Sequence, residues 1–339
     1  MTISLLPIIS QADRFPYCPT GIAEGYIPFH LTLSDFQNDL PPIGLLCHDV
    51  VKEMRAVAEG IWKFEEDKET AQVRCVYFTE SLVAKGGEEI GREGGRVVKL
   101  WKECGKFWGR LSGWRDECYA VYASSKSSGL IASSDPGIYG NVIFNLERSA
   151  CPLFGVATFG VRMTAYEGEG ENMKIWVPTR SKTKSTWPGK LDNSVSGGIS
   201  AGSTPFETLL KECDEEASLP GAFIERYVKN AGVTTYFYIT DEGFLQPEVS
   251  YVYDLPLPPS DSAEYIKLKP NDDEVESFSL LTIPEVIEAL HADRFKPNCG
   301  LILVDFLIRH GFVTPETEPN LLEISSRMRK RLRVALPGV

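Results

Sequence analysis

The chain has 339 residues, 43% of them apolar and 24% charged, a size that suits two domains and a composition that excludes a disulfide miniprotein, a fibrous repeat and wholesale disorder. With 35 Lys and Arg against 47 Asp and Glu the net charge is −12, which disfavours nucleic acid and anionic lipid as partners, so a bound anion needs local positive charge. The longest apolar stretch near the C-terminus, Gly300 to Ile308, carries Asp305 and falls far short of the roughly 20 residues that span a bilayer, so no membrane helix is expected.

The first 18 residues lack a basic n-region and a long apolar run and are poor in Arg, so the expected location is cytoplasmic. The eight cysteines (Cys18, Cys47, Cys75, Cys104, Cys118, Cys151, Cys213, Cys299) contain no CxxC pair and no zinc spacing, and read as reduced thiols. The four histidines, His30, His48, His291 and His310, are too dispersed to found a triad-type hydrolase.

In chain order, Gly44 to Trp62 reads as helix-like and Val73 to Thr79 as a strand. Lys85 to Arg96, with five glycines among charges, is expected to be an exposed loop before a helix over Arg96 to Leu111. A serine-rich break runs from Ser124 to Gly137. The alternating run Phe154 to Tyr166, the turn YEGEGEN and MKIWVP then predict a β-hairpin. Strand candidates follow at Thr234 to Thr240, Val249 to Leu255 and Val275 to Leu281, with helices after Pro284 and around Pro297. Strands mixed with a few helices predict a layered α/β or α+β domain after a boundary near 140–150. The N-terminal part holds no concentrated set of catalytic residue types, so a packing or substrate-shaping role is expected of it.

The stretch that carries chemistry is Leu191 to Gly221, LDNSVSGGISAGSTPFETLLKECDEEASLPG, which reads as strand, glycine loop, helix. Thr204 sits where an N-cap belongs, Pro205 fits the first helical position, and Glu207 completes a capping box. Phe206, Leu209, Leu210, Cys213 and Ala217 form one stripe, and Glu212, Glu215 and Glu216 share the arc beside it. Such an arc is either a solvated acidic face or a cation site. Like charges at i, i+3 and i+4 repel on a bare helix, and hard oxygen donors suit Mg²⁺ shared with phosphate. The glycines at Gly197, Gly198 and Gly202 let backbone approach a phosphate. Between Met173 and Leu191 there is no acid but five bases, Lys174, Arg180, Lys182, Lys184 and Lys190, which form either an ordinary basic hairpin or a diphosphate contact.

Counted from Gly197, these residues resemble the Nudix box: Gly, five residues, Glu, seven residues, Arg-Glu, an aliphatic, any residue, Glu-Glu, any residue, Gly, an aliphatic. Glu212, Glu215, Glu216 and Leu219 match it, with Cys213 at the inner aliphatic position, while Ser203, Lys211 and Ser218 replace the first Glu, the Arg and the last Gly. The resemblance extends through NLERSACPLFGVATFGVRMTAY, WVPTRSKTKSTWPGKLDN, PEVSYVYDL, DDEVESF and FKPNCGLILVDFLIRHGF, which look like a fungal and plant branch of Nudix proteins labelled thiamine pyrophosphokinase-related.

The resemblance implies a C-terminal Nudix α/β/α sandwich with a mixed sheet, an α/β (α+β) fold, preceded by a smaller mixed α/β accessory domain. The expected division is 1–145 accessory domain, 146–315 Nudix domain and 316–339 helical tail. It implies Mg²⁺ or Mn²⁺ held by Glu212, Glu215 and Glu216, and hydrolysis of thiamine diphosphate or its oxidised analogues, oxo- and oxythiamine diphosphate, to the monophosphate. Phosphate contacts are expected from Arg180, Lys182, Lys190, Gly197, Gly198 and Lys211. A general base is expected either from the box or from a later loop, where Glu274 and Glu276 of DDEVESF are the candidates, and Glu212, Glu215, Glu216 and Glu276 are taken as the catalytic set. Trp176, Trp187, Tyr236 and Tyr238 could stack on a ring pair or fill the core. The competing expectations are hydrolysis of a nucleoside diphosphate derivative such as ADP-ribose, or a non-catalytic binding module with a degraded box. In each case the partner is a small anion, not nucleic acid or membrane.

Overall fold

The computed structural model describes residues 4–15, 25–57, 60–129, 140–184 and 186–338, so the serine-rich break lies partly outside the described residues. A short helix, α1 (Leu6–Ala12), opens the chain. Four strands, β1 (Tyr26–His30), β2 (Gly44–Cys47), β3 (Trp62–Glu66) and β4 (Val73–Phe78), form a sheet in the order β2-β1-β4-β3. Only the β1–β4 pairing in it is parallel. The helices α2 (Leu33–Gln37), α3 (His48–Ala56), α4 (Glu80–Val83), α5 (Gly87–Glu103) and α6 (Trp108–Leu111) accompany it. A two-stranded ribbon of β5 (Cys118–Tyr122) and β6 (Val142–Glu147) and the helix α7 (Cys151–Phe154) follow.

Two expectations fail in this half. Gly44 to Cys47 is a strand, because it pairs with β1 and because a Cβ at Gly44 would stand 2.1 Å from the Phe154 carbonyl oxygen. The glycine-rich Lys85 to Arg96 is largely the start of α5, where Ile90, Val97, Val98 and Trp101 bury one stripe. One of its glycines serves close packing, since a Cβ on Gly87 would meet the Ile143 carbonyl oxygen at 1.9 Å. Tertiary contact here overrides a poor helical propensity.

The second half holds β7 (Thr158–Glu167), β8 (Lys174–Arg180), β9 (Val195–Gly198), β10 (Lys229–Ile239), β11 (Leu245–Pro256) and β12 (Val275–Thr282). They form one mixed sheet in the order β10-β11-β7-β8-β12, with β9 also on β7 and the β7–β11 pair parallel. The helices are α8 (Pro205–Ala217), α9 (Gly221–Tyr227), α10 (Ile283–His291), α11 (Pro297–Arg309) and α12 (Leu321–Arg327). The period-2 alternation of the strands divides the core. Val161, Met163 and Trp176 pack with Leu209, Cys213 and Ile224 on the α8–α9 face, whereas Ile175, Val177 and Val252 pack with Leu290, Leu301 and Phe306 on the α10–α11 face. The architecture is therefore a mixed sheet between helical layers, as expected.

Both chain ends cross the expected partition. Leu5, Ile8 and Ile9 join the core of α11, and Leu332 and Val334 pack with Leu45 of β2. Buried Asp13 accepts from the Phe237 amide at 3.1 Å, from Arg327 Nε at 3.0 Å and from Lys330 Nζ at 2.9 Å.

Candidate active site

The site starts from α8. Thr204 Oγ1 accepts from the Glu207 amide at 3.2 Å while Glu207 Oε2 accepts from the Thr204 amide at 2.9 Å, so Glu207 is a capping residue as its position predicts. At the other end Ser218, where the box has glycine, takes the left-handed φ of 55° that closes a helix. Between these caps Leu209, Cys213 and Ala217 bury against Val161 and Met163, while Phe206 of the expected stripe stays exposed. That packing turns Glu212 and Glu216 toward β9. Glu216 Oε2 accepts from the Ser196 amide at 2.8 Å, and a Cβ on Gly197 would stand 2.3 Å from the Glu212 carboxyl carbon. Gly197 is therefore required to be glycine by the carboxylate lying on it.

These two acids are only partly compensated. Burial first, with repulsion from Glu215 and Glu274, pushes Glu212 up to about 7 against the pull of Lys211 and Arg148. Burial, then Asp192, drives Glu216 well above the ordinary carboxylate range against the pull of the Ser196 amide. Glu215 is exposed and pairs with Lys211 at 3.5 Å. Among the described residues no three His, Cys, Asp or Glu side chains already converge on one metal position. The donor chemistry nevertheless fits a hard divalent cation: carboxylate oxygens only, two of them partly or wholly desolvated, side by side and short of positive partners. Glu212 and Glu216 carry that fit, with Glu215 at the rim.

A cavity of about 770 Å³ opens beside them. One wall is α8 and β9, including Lys211, Gly197 and Gly198. The floor is the sheet, where Arg162 Nη2 donates to Glu248 Oε1 at 2.8 Å, both nearly buried, with Tyr236 opposite Glu248 in register. The start of α11 contributes Lys296, Pro297 and Asn298. The remaining wall, from Arg110, Arg115, Glu117, Tyr119 and Arg148, precedes the sandwich in sequence.

The basic candidates separate. Arg180 lines the cavity, but its guanidinium holds Asp192 Oδ2 at 2.5 Å, the Trp187 carbonyl at 3.1 Å and the Thr186 carbonyl at 2.9 Å, so it shapes the loop. Lys182 and Glu276 face each other at 3.5 Å on the exposed surface, and Lys190 pairs with Asp293 at 3.2 Å; none of the three belongs to the cavity wall. Glu276 sits at the register irregularity between Val275 and Ser277 of β12 and is not among the residues that line the cavity. Glu274 does line the cavity and pairs with Lys184. Burial opposes its ionisation, but the Lys184 ammonium prevails and holds the carboxyl below its ordinary range. Trp176 and Tyr236 are core, Tyr236 lying buried under the cavity floor, whereas Trp187 and Tyr238 line the cavity.

Sequence reasoning missed Glu117, Tyr119, Arg148, Arg162, Glu248 and Lys296. Arg162 and Glu248 left a signal, a charge inside an otherwise apolar strand run; the others become neighbours only through the fold.

The family model of the NUDIX domain matches residues 157–299. The uncharacterized protein YJR142W of Saccharomyces cerevisiae is 42% identical over 234 residues, covering 66% of this chain and 63% of its own. Nudix hydrolase 20, chloroplastic, of Arabidopsis thaliana is 35% identical over 257 residues, covering 75% and 62%. The chain thus spans under two thirds of the length of these relatives. Among solved structures, DR0079 of Deinococcus radiodurans is 18% identical with a TM-score of 0.36, over 50% of this chain and 96% of that one.

Proposed function

We propose, from the match of residues 157–299 to the NUDIX domain model, that the protein hydrolyses the phosphoanhydride bond of a small-molecule diphosphate with the help of a divalent cation, Mg²⁺ or Mn²⁺. The observation that carries this reading is the meeting, in one cavity, of the desolvated carboxyls of Glu212 and Glu216 with the glycine backbone of β9 and a set of cationic side chains. Glu212 and Glu216, joined at the rim by Glu215, would hold the cation. When bound, such an ion neutralises phosphate charge and lowers the pKa of a coordinated water. Glu274, whose carboxyl Lys184 holds below its ordinary range, would accept the proton of the attacking water. Lys211 and Lys296 supply charge for phosphate oxygens.

For the organic half we propose thiamine diphosphate or its oxidised analogues, with the monophosphate as product. Support comes from the likeness of sequence outside the box, and from the rings of Trp187 and Tyr238 on the cavity wall, which suit a heteroaromatic. A cytoplasmic location is part of the same proposal, in keeping with the seven free thiols among the described residues.

One observation favours a second reading. Since no three acidic side chains converge, the domain could instead bind its diphosphate without cleaving it. Phosphate release with Mg²⁺ or Mn²⁺ separates the two, measured on thiamine diphosphate, oxythiamine diphosphate, ADP-ribose and a nucleoside triphosphate, with Glu216→Gln as the blank. Turnover that prefers the thiamine compounds and vanishes in the variant is the expected result. Preference for ADP-ribose keeps the chemistry and replaces the substrate; no turnover by folded protein leaves the binding module.

A further inference from the structure

Arg148 lies nine residues before the matched Nudix segment, on a single 3-10 turn that follows β6, yet it lines the same cavity as Gly197, Gly198 and Glu212. Its place is fixed from β5 and the residue before it. The Arg148 amide donates to the Glu117 carbonyl at 2.8 Å, and Nη1 donates to Glu117 Oε2 at 2.8 Å. The guanidinium carbon stands 5.3 Å from the centre of the Tyr119 ring.

The same short segment grips the glycine loop. Glu117 Oε1 accepts from Ser200 Oγ at 2.7 Å, the Cys118 carbonyl accepts from the Ala201 amide at 2.8 Å, and a Cβ on Gly198 would stand 1.8 Å from the Tyr119 hydroxyl. Arg148 and the glycine backbone are thereby held in one rigid frame, with Arg148 an electrostatic neighbour of Glu212. Only Nη1 has a hydrogen-bond acceptor among the described residues, so the guanidinium keeps donors for something else.

We propose that Arg148 is a diphosphate-binding residue supplied to the cavity from outside the segment 157–299 that the NUDIX domain model matches. This rests on the diphosphate reading of the cavity. A planar fork with spare donors, beside backbone stripped of Cβ atoms, matches the oxygens of a phosphoryl group. The region before the sandwich therefore completes the site as well as packing against it.

The test is calorimetric titration of the full chain with methylenediphosphonate and Mg²⁺, comparing wild type with Arg148→Ala and Arg148→Lys, each checked by thermal melting. Arg148→Ala is expected to weaken binding on the order of 10- to 100-fold, the worth of a charge-assisted contact, and Arg148→Lys to recover part of it. Should Arg148→Ala fail to fold, Arg148→Lys alone is expected to bind several-fold more weakly than wild type. Folded variants that bind like wild type overturn the role of Arg148 and leave the diphosphate site standing. Failure of wild type itself to bind overturns both.

Discussion

Burial lifts Glu212 to about 7 and also raises Glu216, so in the absence of a cation the folded protein holds protons on these carboxyls that the unfolded chain has released. Between pH 5 and pH 7 the native state then binds more protons than the unfolded one, and stability falls as pH rises through that window. In chelator, denaturant melts of wild type are expected to lose about 1–3 kcal/mol from pH 5 to pH 8 on account of Glu212, and Glu212→Gln is expected to flatten that slope. Added Mg²⁺ is expected to raise the melting temperature of wild type at pH 8 more than that of Glu216→Gln, because a ligand that binds only the folded state stabilises it. A Glu212→Gln protein with the wild-type slope would show that the carboxyl is solvated after all. These residues are the ones whose chemistry the sequence displayed, since a spacing of i, i+4 on a helix fixes a shared face without further information.

At the scale of elements, the caps of α8 were legible and the glycines of α5 were not. Thr204, Pro205 and Glu207 announce the helix start through local hydrogen bonding alone. Ser218 closes it in a left-handed conformation that glycine adopts at lower cost, at the loss of one bond from its hydroxyl to the Lys269 carbonyl. Ser218→Gly is expected to stabilise the protein by about 0.5 kcal/mol, seen as a higher denaturation midpoint. Helix α5 separates two kinds of glycine. Gly95 faces open space and Gly87 abuts the Ile143 carbonyl. Gly95→Ala is expected to stabilise by about 0.5–1 kcal/mol through helical propensity, and Gly87→Ala to destabilise by at least about 1 kcal/mol through the clash. Equal effects of the two substitutions would contradict the packing described.

At the scale of the molecule, the ends of the chain close on one another. Asp13, fully buried, answers to Arg327 and Lys330 from beyond α11 and to the amide of Phe237 in β10. Removing one partner of a buried charge leaves it poorly compensated, so Arg327→Ala is expected to cost about 2–4 kcal/mol in chemical denaturation, with Lys330 keeping the loss from being larger. A loss below about 0.5 kcal/mol would mean that water reaches Asp13. The expected tail at 316–339 is thus a structural strap as much as an appendage, and the region before the sandwich contributes a wall of the cavity through Glu117, Tyr119 and Arg148.

The sequence by itself determined what depends on near neighbours: the capped helix, the carboxylate arc, the glycines before it, the hairpin of β7 and β8 and the alternating strands of the sandwich. Those features rest on periodicity and on hydrogen bonds spanning three or four residues, which are properties of a short segment. Only the tertiary structure decided which charges meet. It spent Arg180 on Asp192, sent Lys182, Lys190 and Glu276 to outside pairs, and brought Arg148, Arg162, Glu248 and Lys296 from four segments to one cavity. The reason is that a charge on a strand or loop has no fixed partner until the sheet order and register are set, and these follow from burial across the whole chain.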